Sequence, residues 1–504
     1  MTTSLPTQAL RIRLLRGSYF AFLGTLVSVA GNFTVSVILA RLLDPARLGA
    51  YGLFAVLGAV VIPLLSLAVP TAVTKYTSEF RSRKDPRLSS ILATSLVIMI
   101  VVGLAGSVLI ALVIAPLAAG FFREPTLLPM IQIMALFTVA NLIAMYAGAV
   151  LQGLEEFAVS GVVGGVAILT NVAFLLWFLV PGGGLVGVVL AASASVTVNA
   201  VAGTWATLVA LRRHGIAWRW ELSRKEAWLI GGFVGPLNAA SLLGRVSILV
   251  QNSLVAVRLG FIDLGYLRVA GFFYNALLFL PRTLIGPMLP VLSSMTASRT
   301  AARQREILGQ LMKTSLLLLA PLSGGLVLAL PFGIEFFFGA AYLPALPFTM
   351  IFVVAAIATF PVAILGGNYL DATGRTKVGL LVTAYGAGVG LLLVVILFPG
   401  LGAMALPVST LVTEGTLFML LLFWLHRRNE LAMRPLIPAS GFVTLATAGT
   451  IALESLVPSW FALTLAAPVA LLLGATGFYL LMDADERLMV VSAFRKGVAS
   501  LSAR

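Results

Sequence analysis

Runs of about twenty apolar residues, separated by short polar or Pro- and Gly-containing breaks, recur along almost the whole chain. At a rise of about 1.5 Å per residue, about 20 such residues in a helix cross a bilayer's hydrocarbon core of roughly 30 Å. The pattern therefore predicts an all-α polytopic membrane protein with about 14 transmembrane helices. They fall at 18–39, 49–74, 89–114, 128–151, 157–180 and 185–210, then at 228–257, 266–290, 313–334, 344–370, 378–398 and 401–425. A further pair lies at 437–455 and 460–482.

Polar residues set two of these runs apart. In the first, Asn238, Ser241, Arg245 and Asn252 lie three, four and seven residues from one another, which places them on one helix face. In the second, Arg268, Asn275 and Arg282 repeat every seven residues and form a stripe about 21 Å long. An arginine near the bilayer centre costs about 2.5–3.5 kcal/mol on insertion scales, so residues of this kind face a partner or water. Arg268 near the outer end and Arg282 near the inner end are placed either to snorkel to headgroups or to line a path. Arg245 lies about 13 residues, roughly 20 Å, from the outer end and is out of reach of either interface. It is either one half of a buried structural ion pair or a binding group for an anion. A milder stripe, Ser18, Thr25 and Asn32, runs along the first helix and suits either a cavity wall or small-residue packing.

Composition agrees with the pattern: 60% of residues are hydrophobic, 10% are charged, and the mean hydropathy is +1.07. The 33 Lys and Arg residues set the orientation. Placing the N-terminus, the loops after even-numbered helices and the C-terminus on one side collects 26 of them, against only Arg41, Arg47, Arg123 and Arg258 in the opposite loops. By the positive-inside rule that side is the cytoplasm, so both termini are expected there, in a bacterial inner membrane. The net charge of +15 is thereby explained by topology and implies no nucleic-acid partner. Basic loops such as Lys75–Arg87 and Arg212–Lys225 suit anionic membrane lipids. Arg11, Arg13 and Arg16 lead into an apolar run without a small-residue cleavage site, which reads as a retained first helix. The chain has no cysteine, and its two histidines, His214 and His426, fall in cytoplasmic loops. No nucleophile triad, metal-ligand cluster or cofactor motif emerges, so neither catalytic residues nor a cofactor are expected.

The chain also repeats itself. Arg41-Leu42 to Leu48-Gly49 and Tyr51 recur as Arg258-Leu259 to Leu264-Gly265-Tyr266; Leu128-Pro129 recurs as Leu343-Pro344, and Pro181-Gly182 as Pro399-Gly400, at offsets of 215–218. A duplicated six-helix unit predicts two parallel lobes, residues 1–211 and 227–428, joined by a basic linker, 212–226, that carries Trp218 and Trp220. Residues 429–504 add the last two helices and a cytoplasmic tail. The paired outer loops, with Arg41 and Asp44 matching Arg258 and Asp263, are placed to act as gates over a central cavity. Glu414 is the one acid near mid-membrane and suits an arginine partner, a coupling ion or a protonated packing role.

The run Ala40-Arg41-Leu42-Leu43-Asp44-Pro45, followed by Leu48-Gly49-Ala50-Tyr51-Gly52, resembles the first outer loop of bacterial polysaccharide (oligosaccharide) flippases. Leu264-Gly265-Tyr266 through Pro287 and Pro290, and Tyr369-Leu370-Asp371-Ala372-Thr373-Gly374-Arg375, look like the same family, which belongs to the multidrug/oligosaccharidyl-lipid/polysaccharide exporter superfamily. The resemblance, over about residues 10–425, implies transport of an undecaprenyl-pyrophosphate-linked oligosaccharide from the cytoplasmic to the periplasmic leaflet, with other polysaccharide-assembly membrane proteins as partners. Fourteen helices also fit a lipid II flippase. A multidrug antiporter fits less well, because no carboxylate lies inside helices one to six. A membrane glycan polymerase would need a large outer loop, whereas the longest here, Ala115–Leu127, carries only Arg123 and Glu124 as charges.

Overall fold

The computed structural model describes residues 27–83, 85–285, 301–370, 373, 375–482 and 487. Every long element among them is a helix: α1 Val27–Leu42, α2 Pro45–Ser66, α3 Val69–Arg83, α4 Arg87–Leu109, α5 Ala115–Phe122, α6 Leu127–Leu136, α7 Thr138–Gly153, α8 Phe157–Leu179 and α9 Gly184–Arg213. There follow α10 Arg224–Arg258, α11 Phe261–Ile285, α12 Ala301–Gly333, α13 Leu346–Val362, α14 Thr376–Leu401, α15 Ala405–Arg427, α16 Leu436–Leu456 and α17 Ser459–Thr476. Among the described residues, nine helical stretches are long and apolar enough to cross a membrane, or ten with the bent pair α6–α7. That is fewer than the expected fourteen. Lys377–Arg427, a single stretch of 51 residues, holds both α14 and α15, while α10 and α11, which carry the arginines, are not among the nine.

Three expected spans are not single straight rods. The second divides at Leu67 and Ala68, both in left-handed backbone (φ 49° and 52°), because Pro70 has no N–H for the Ser66 carbonyl four residues back. The third continues from α4 through a wide turn at Ile110–Ile114 into α5. The fourth bends by 50° between α6 and α7, where the Thr138 hydroxyl donates to the Met134 carbonyl and loosens the helix ladder. The face of α4 carrying Val101, Leu104 and Val108 at helical spacing is exposed, as a lipid-facing stripe should be.

The chain forms two compact units, one running to Arg268 and taking in Val394–Ala403, the other made of Val269–Leu393 and the chain from Met404 on. In the first, Phe80, Ile91, Met99, Leu142, Tyr146 and Val150 form a buried core among α3, α4 and α7. The Tyr146 hydroxyl donates to the Leu92 carbonyl at 2.9 Å and that of Thr207 to the Ala147 carbonyl at 3.3 Å. Lipid is as apolar as these side chains, so such packing and polar bonds, about 0.6 kcal/mol each on average, hold the helices together. The extended segment before α10 is strapped to α4. Ser89 accepts from the Arg219 N–H, Ser90 donates to the Glu221 carbonyl, and Thr94 accepts from the Ser223 N–H.

In the second unit α12 packs against α16 and α17, the pair expected at 437–455 and 460–482. Its glycines permit close approach: a Cβ added at Gly324 would lie 2.6 Å from Leu473 Cδ1, and one at Gly325 3.0 Å from Ala470 Cβ. The buried hydroxyls of Ser323 and Thr447 meet at 2.9 Å.

Candidate functional site

Arg245 sits on the exposed side of α10, and its Nη1 donates to the Ala59 carbonyl of α2 at 2.8 Å. The backbone explains that acceptor. Residue 63, whose N–H would normally bond Ala59, is a proline inside α2, so the Ala59 carbonyl has no helical donor. The arginine fills the gap with one of its five N–H groups and leaves others for a further acceptor. The partner is a backbone carbonyl and not the acid of a buried ion pair, and donors remain.

The other stripe residues fall into a pattern. Asn32, Asn252 and Asn275 each donate a side-chain N–H to the carbonyl four residues back, those of Ser28, Ile248 and Gly271, at 2.7–2.8 Å. Half of each amide's donor capacity is thereby satisfied within its own helix, and the remainder faces outward. Arg268 is exposed on α11 and lays its aliphatic stem across Gly52, where a Cβ would lie 3.7 Å from the arginine Cδ. The side chains of Asn238, Ser241 and Arg282 lie outside the described residues, as do Ser18 and Thr25.

Between α1 and α2, Asp44 caps α2 by accepting from the Arg47 N–H at 2.8 Å and pairs with the Arg47 side chain at 3.4 Å. Arg41 and Arg258 are exposed, and Asp263 lies half-buried in the first turn of α11. The closest approach between the loops comes from glycines that the sequence reading used only to register the repeat. A Cβ at Gly49 would fall 1.8 Å from the Phe261 carbonyl oxygen, and one at Gly265 2.1 Å from the Pro45 carbonyl oxygen. Pro45 and Gly49 precede Phe261 and Gly265 by 216 residues each, so the contact is reciprocal between positions at one sequence offset.

Two further acid–base pairs join loops that are distant in sequence. Glu156 meets His214 at 3.1 Å. In the second, Glu430 receives two guanidinium hydrogen bonds from Arg375, at 2.5 and 2.6 Å, and one from the Tyr369 hydroxyl at 2.8 Å. The first pair joins the loop after α7 to the loop after α9, and the second the segment before α14 to the loop after α15. Burial pushes the Glu430 carboxyl up, but the hydrogen bonds from Arg375 and Tyr369 outweigh it and hold the group below its ordinary range. The Tyr369–Arg375 motif is therefore a structural clasp. In α15 the Oε2 atom of Glu414 is buried without a hydrogen-bond partner. Among the described residues no group of three or more His, Cys, Asp or Glu residues could hold a metal ion.

The fold is found in solved membrane transporters. An inward-facing multidrug-resistance MATE-family transporter of the MOP superfamily matches with a TM-score of 0.68 and 12% identity, over 82% of this chain and 98% of its own. The lipid II flippase MurJ in an inward closed conformation matches at 0.64 and 13% identity, over 92% and 98%. A MOP-superfamily transporter from Pyrococcus furiosus, described as having a binding pocket of reverse polarity, matches at 0.61 and 13%, over 83% and 95%. No curated protein sequence matches. The model of the polysaccharide biosynthesis protein family matches residues 38–347, more than half the chain. A membrane protein whose long elements among the described residues are all helices, the chain belongs to the polysaccharide biosynthesis protein family.

Proposed function

We propose that the protein carries an undecaprenyl-pyrophosphate-linked oligosaccharide from the cytoplasmic to the periplasmic leaflet of a bacterial inner membrane by alternating access, and is not an enzyme. In this reading residues 1–211 and 227–428 are the two lobes, 212–226 joins them, and both termini are cytoplasmic. Arg245, Arg268 and Arg282 meet the pyrophosphate, helped by Asn32, Asn238, Asn252 and Asn275. Arg41, Asp44, Arg258 and Asp263 flank the outer gate, and Glu414 is the candidate for coupling. The observation that carries the reading is Arg245: a cation within an apolar helix, placed by a proline-freed carbonyl and keeping donors for a second acceptor. A planar guanidinium suits two parallel bonds to phosphate oxygens, which a lysine cannot reproduce.

Purified protein in liposomes tests this with a labelled lipid-linked saccharide. Arg245→Ala should lower translocation about a hundredfold, as loss of two charge-assisted bonds implies, with Arg245→Lys between it and the wild type. Full activity in the Arg245→Ala, Arg282→Ala double variant would reject the site. A second reading, a peptidoglycan-precursor flippase, is favoured by one observation: the match to the lipid II flippase extends over 92% of the chain. Competition between the two lipid-linked substrates in the same liposomes separates them.

A further inference from the structure

The last turn of α15 ends in His426 and Arg427, and Arg428 closes it. Asn429 takes a left-handed conformation (φ 58°) that stops the helix: its N–H reaches the His426 carbonyl at 2.9 Å, and the Glu430 N–H reaches the Leu425 carbonyl at 3.0 Å. The stop fixes where the two arginines stand, and each is held over an aromatic ring one turn back. The Arg427 Cζ lies 4.6 Å from the Phe423 ring centroid, and that of Arg428 lies 4.5 Å from the Trp424 ring. We infer that this end of α15, with Lys377 at the start of α14, binds the headgroup of an anionic phospholipid whose acyl chains lie along α15. The leaflet rests on the orientation proposed above and is then the cytoplasmic one; the site itself rests neither on that orientation nor on transport.

Charge selects an anion. Lys377, Arg427 and Arg428 are exposed, and among the described residues none of the three forms a hydrogen bond or a close ion pair. The nearby carboxylate, Glu430, feels the Arg428 charge, but it is taken up by Arg375 and the Tyr369 hydroxyl. Lys377 joins the cluster because α14 starts beside the end of α15: Arg375, two residues earlier, also stacks on Trp424, at 5.3 Å. Each guanidinium carries several N–H donors in a fixed fork, which suits the oxygens of a phosphodiester.

Position selects a lipid over a soluble anion. Met419, Leu420, Phe423 and Arg427 recur at helical spacing on one exposed face of α15, so the arginine stands at the end of an apolar stripe of the kind that faces lipid. A Cβ added at Gly366 would lie 3.1 Å from Val382 Cγ1 and 3.8 Å from Leu421 Cδ1, which sets α14 and α15 at a common level there. Their neighbours Leu381 and Leu420 are both exposed, so apolar surface continues from one helix to the other below the cations. A ligand that covers both parts pairs a negative headgroup with acyl chains, and basic pockets between membrane helices take such lipids. The helix dipole also favours cations at a C-terminus, but it does not account for the rings. The chain carries its own comparison: Arg212 and Arg213 occupy the last turn of α9, are exposed, and among the described residues stack on no ring.

Full-length protein in detergent is titrated with short-chain phosphatidylglycerol and, as the neutral control, phosphatidylcholine of the same chains, and lipid adducts are counted by native mass spectrometry. Phosphatidylglycerol should form a saturable first adduct at lower concentration than phosphatidylcholine, and equal binding of the two overturns the site. Arg427→Gln with Arg428→Gln should weaken that adduct roughly 25-fold, at about fivefold for each basic residue near an anionic lipid surface. Phe423→Leu removes an exposed ring and no charge, and should weaken it about threefold. An unchanged adduct in the double arginine variant overturns the site. So does an equal loss in Arg212→Gln with Arg213→Gln, which would mean that any exposed arginine pair suffices. Displacement of the lipid by glycerol 3-phosphate would show a soluble-phosphate site, and displacement by equimolar undecaprenyl phosphate would give the site to a polyprenyl carrier; either overturns the phospholipid assignment. A native dimer that is lost in the double arginine variant, with no lipid adduct in the wild type, would give the face to a second copy of the chain and overturn it too. A wild-type protein that forms the adduct but translocates no saccharide-lipid leaves this site standing and removes only the transport reading.

Discussion

The pairing of Arg245 with Ala59 shows how one residue's role depends on another's missing atom. Were residue 63 not proline, its N–H would occupy the Ala59 carbonyl and the arginine would be redundant there. A double-mutant cycle on thermal unfolding in detergent makes this measurable. With Pro63 present, Arg245→Ala removes a charge-assisted hydrogen bond to the Ala59 carbonyl, at a cost of about 1.5–3 kcal/mol. In a Pro63→Ala background the restored N–H fills the vacancy, so the same substitution should cost much less. A coupling energy of about 1 kcal/mol or more is expected, and additivity within about 0.5 kcal/mol would sink the account. The anomaly of Arg245 was legible in the sequence, because a charge in an apolar run stands out. Its partner was not, because a backbone carbonyl carries no sequence signature; only Pro63 hinted at it. Likewise the seven-residue spacing located Asn252 and Asn275 on their stripes, but not that each bonds its own helix first.

At the level of elements, the contact between the starts of α2 and α11 depends on two glycines that admit backbone against backbone. Gly49→Ala or Gly265→Ala would put a Cβ within 1.8–2.1 Å of a carbonyl oxygen, so the starts of α2 and α11 would have to separate. Spin labels at the exposed positions 41 and 258 should report a longer distance in the double alanine variant, and an unchanged distribution would show that the glycines do not set the contact. The inner clasp responds to acid. Because the folded-state pKa of Glu430 is depressed, its contribution is fully present above the unfolded value, about 4.3, and is lost as pH falls through the folded value. Thermal stability should therefore drop more steeply below about pH 4 in the wild type than in Glu430→Gln, whose curve should be flatter there. Parallel curves would mean that the clasp holds nothing. Helix positions were readable from hydrophobic runs. The break at Leu67–Ala68 and the bend before Thr138 were not, since apolar composition continues through both and only Pro70 and Thr138 act on the backbone.

For the molecule as a whole, the excess of cations inside apolar helices bears on how an empty carrier returns. An inside-negative potential acts on each elementary charge with about 2.3 kcal/mol per 100 mV for a full crossing, and proportionally less for a partial one. Rocking of the lobes would shift part of the field across Arg245 and Arg282 even with the side chains held in place, as the bond to Ala59 holds Arg245. An empty cationic site is then biased towards the cytoplasm, while a bound pyrophosphate neutralises the arginines and removes the bias. The potential would return the empty carrier without a dedicated ion site, whereas the unpartnered carboxylate oxygen of Glu414 offers the alternative of a proton- or sodium-driven return. Collapsing the potential at constant pH and sodium gradients decides between them. Under the first mechanism the population shifts outward, read by the accessibility of an introduced cysteine to an impermeant reagent; Glu414→Gln leaves that shift intact. A distribution that ignores the potential but moves with the proton or sodium gradient, and loses that response in Glu414→Gln, assigns the reset to the acid instead.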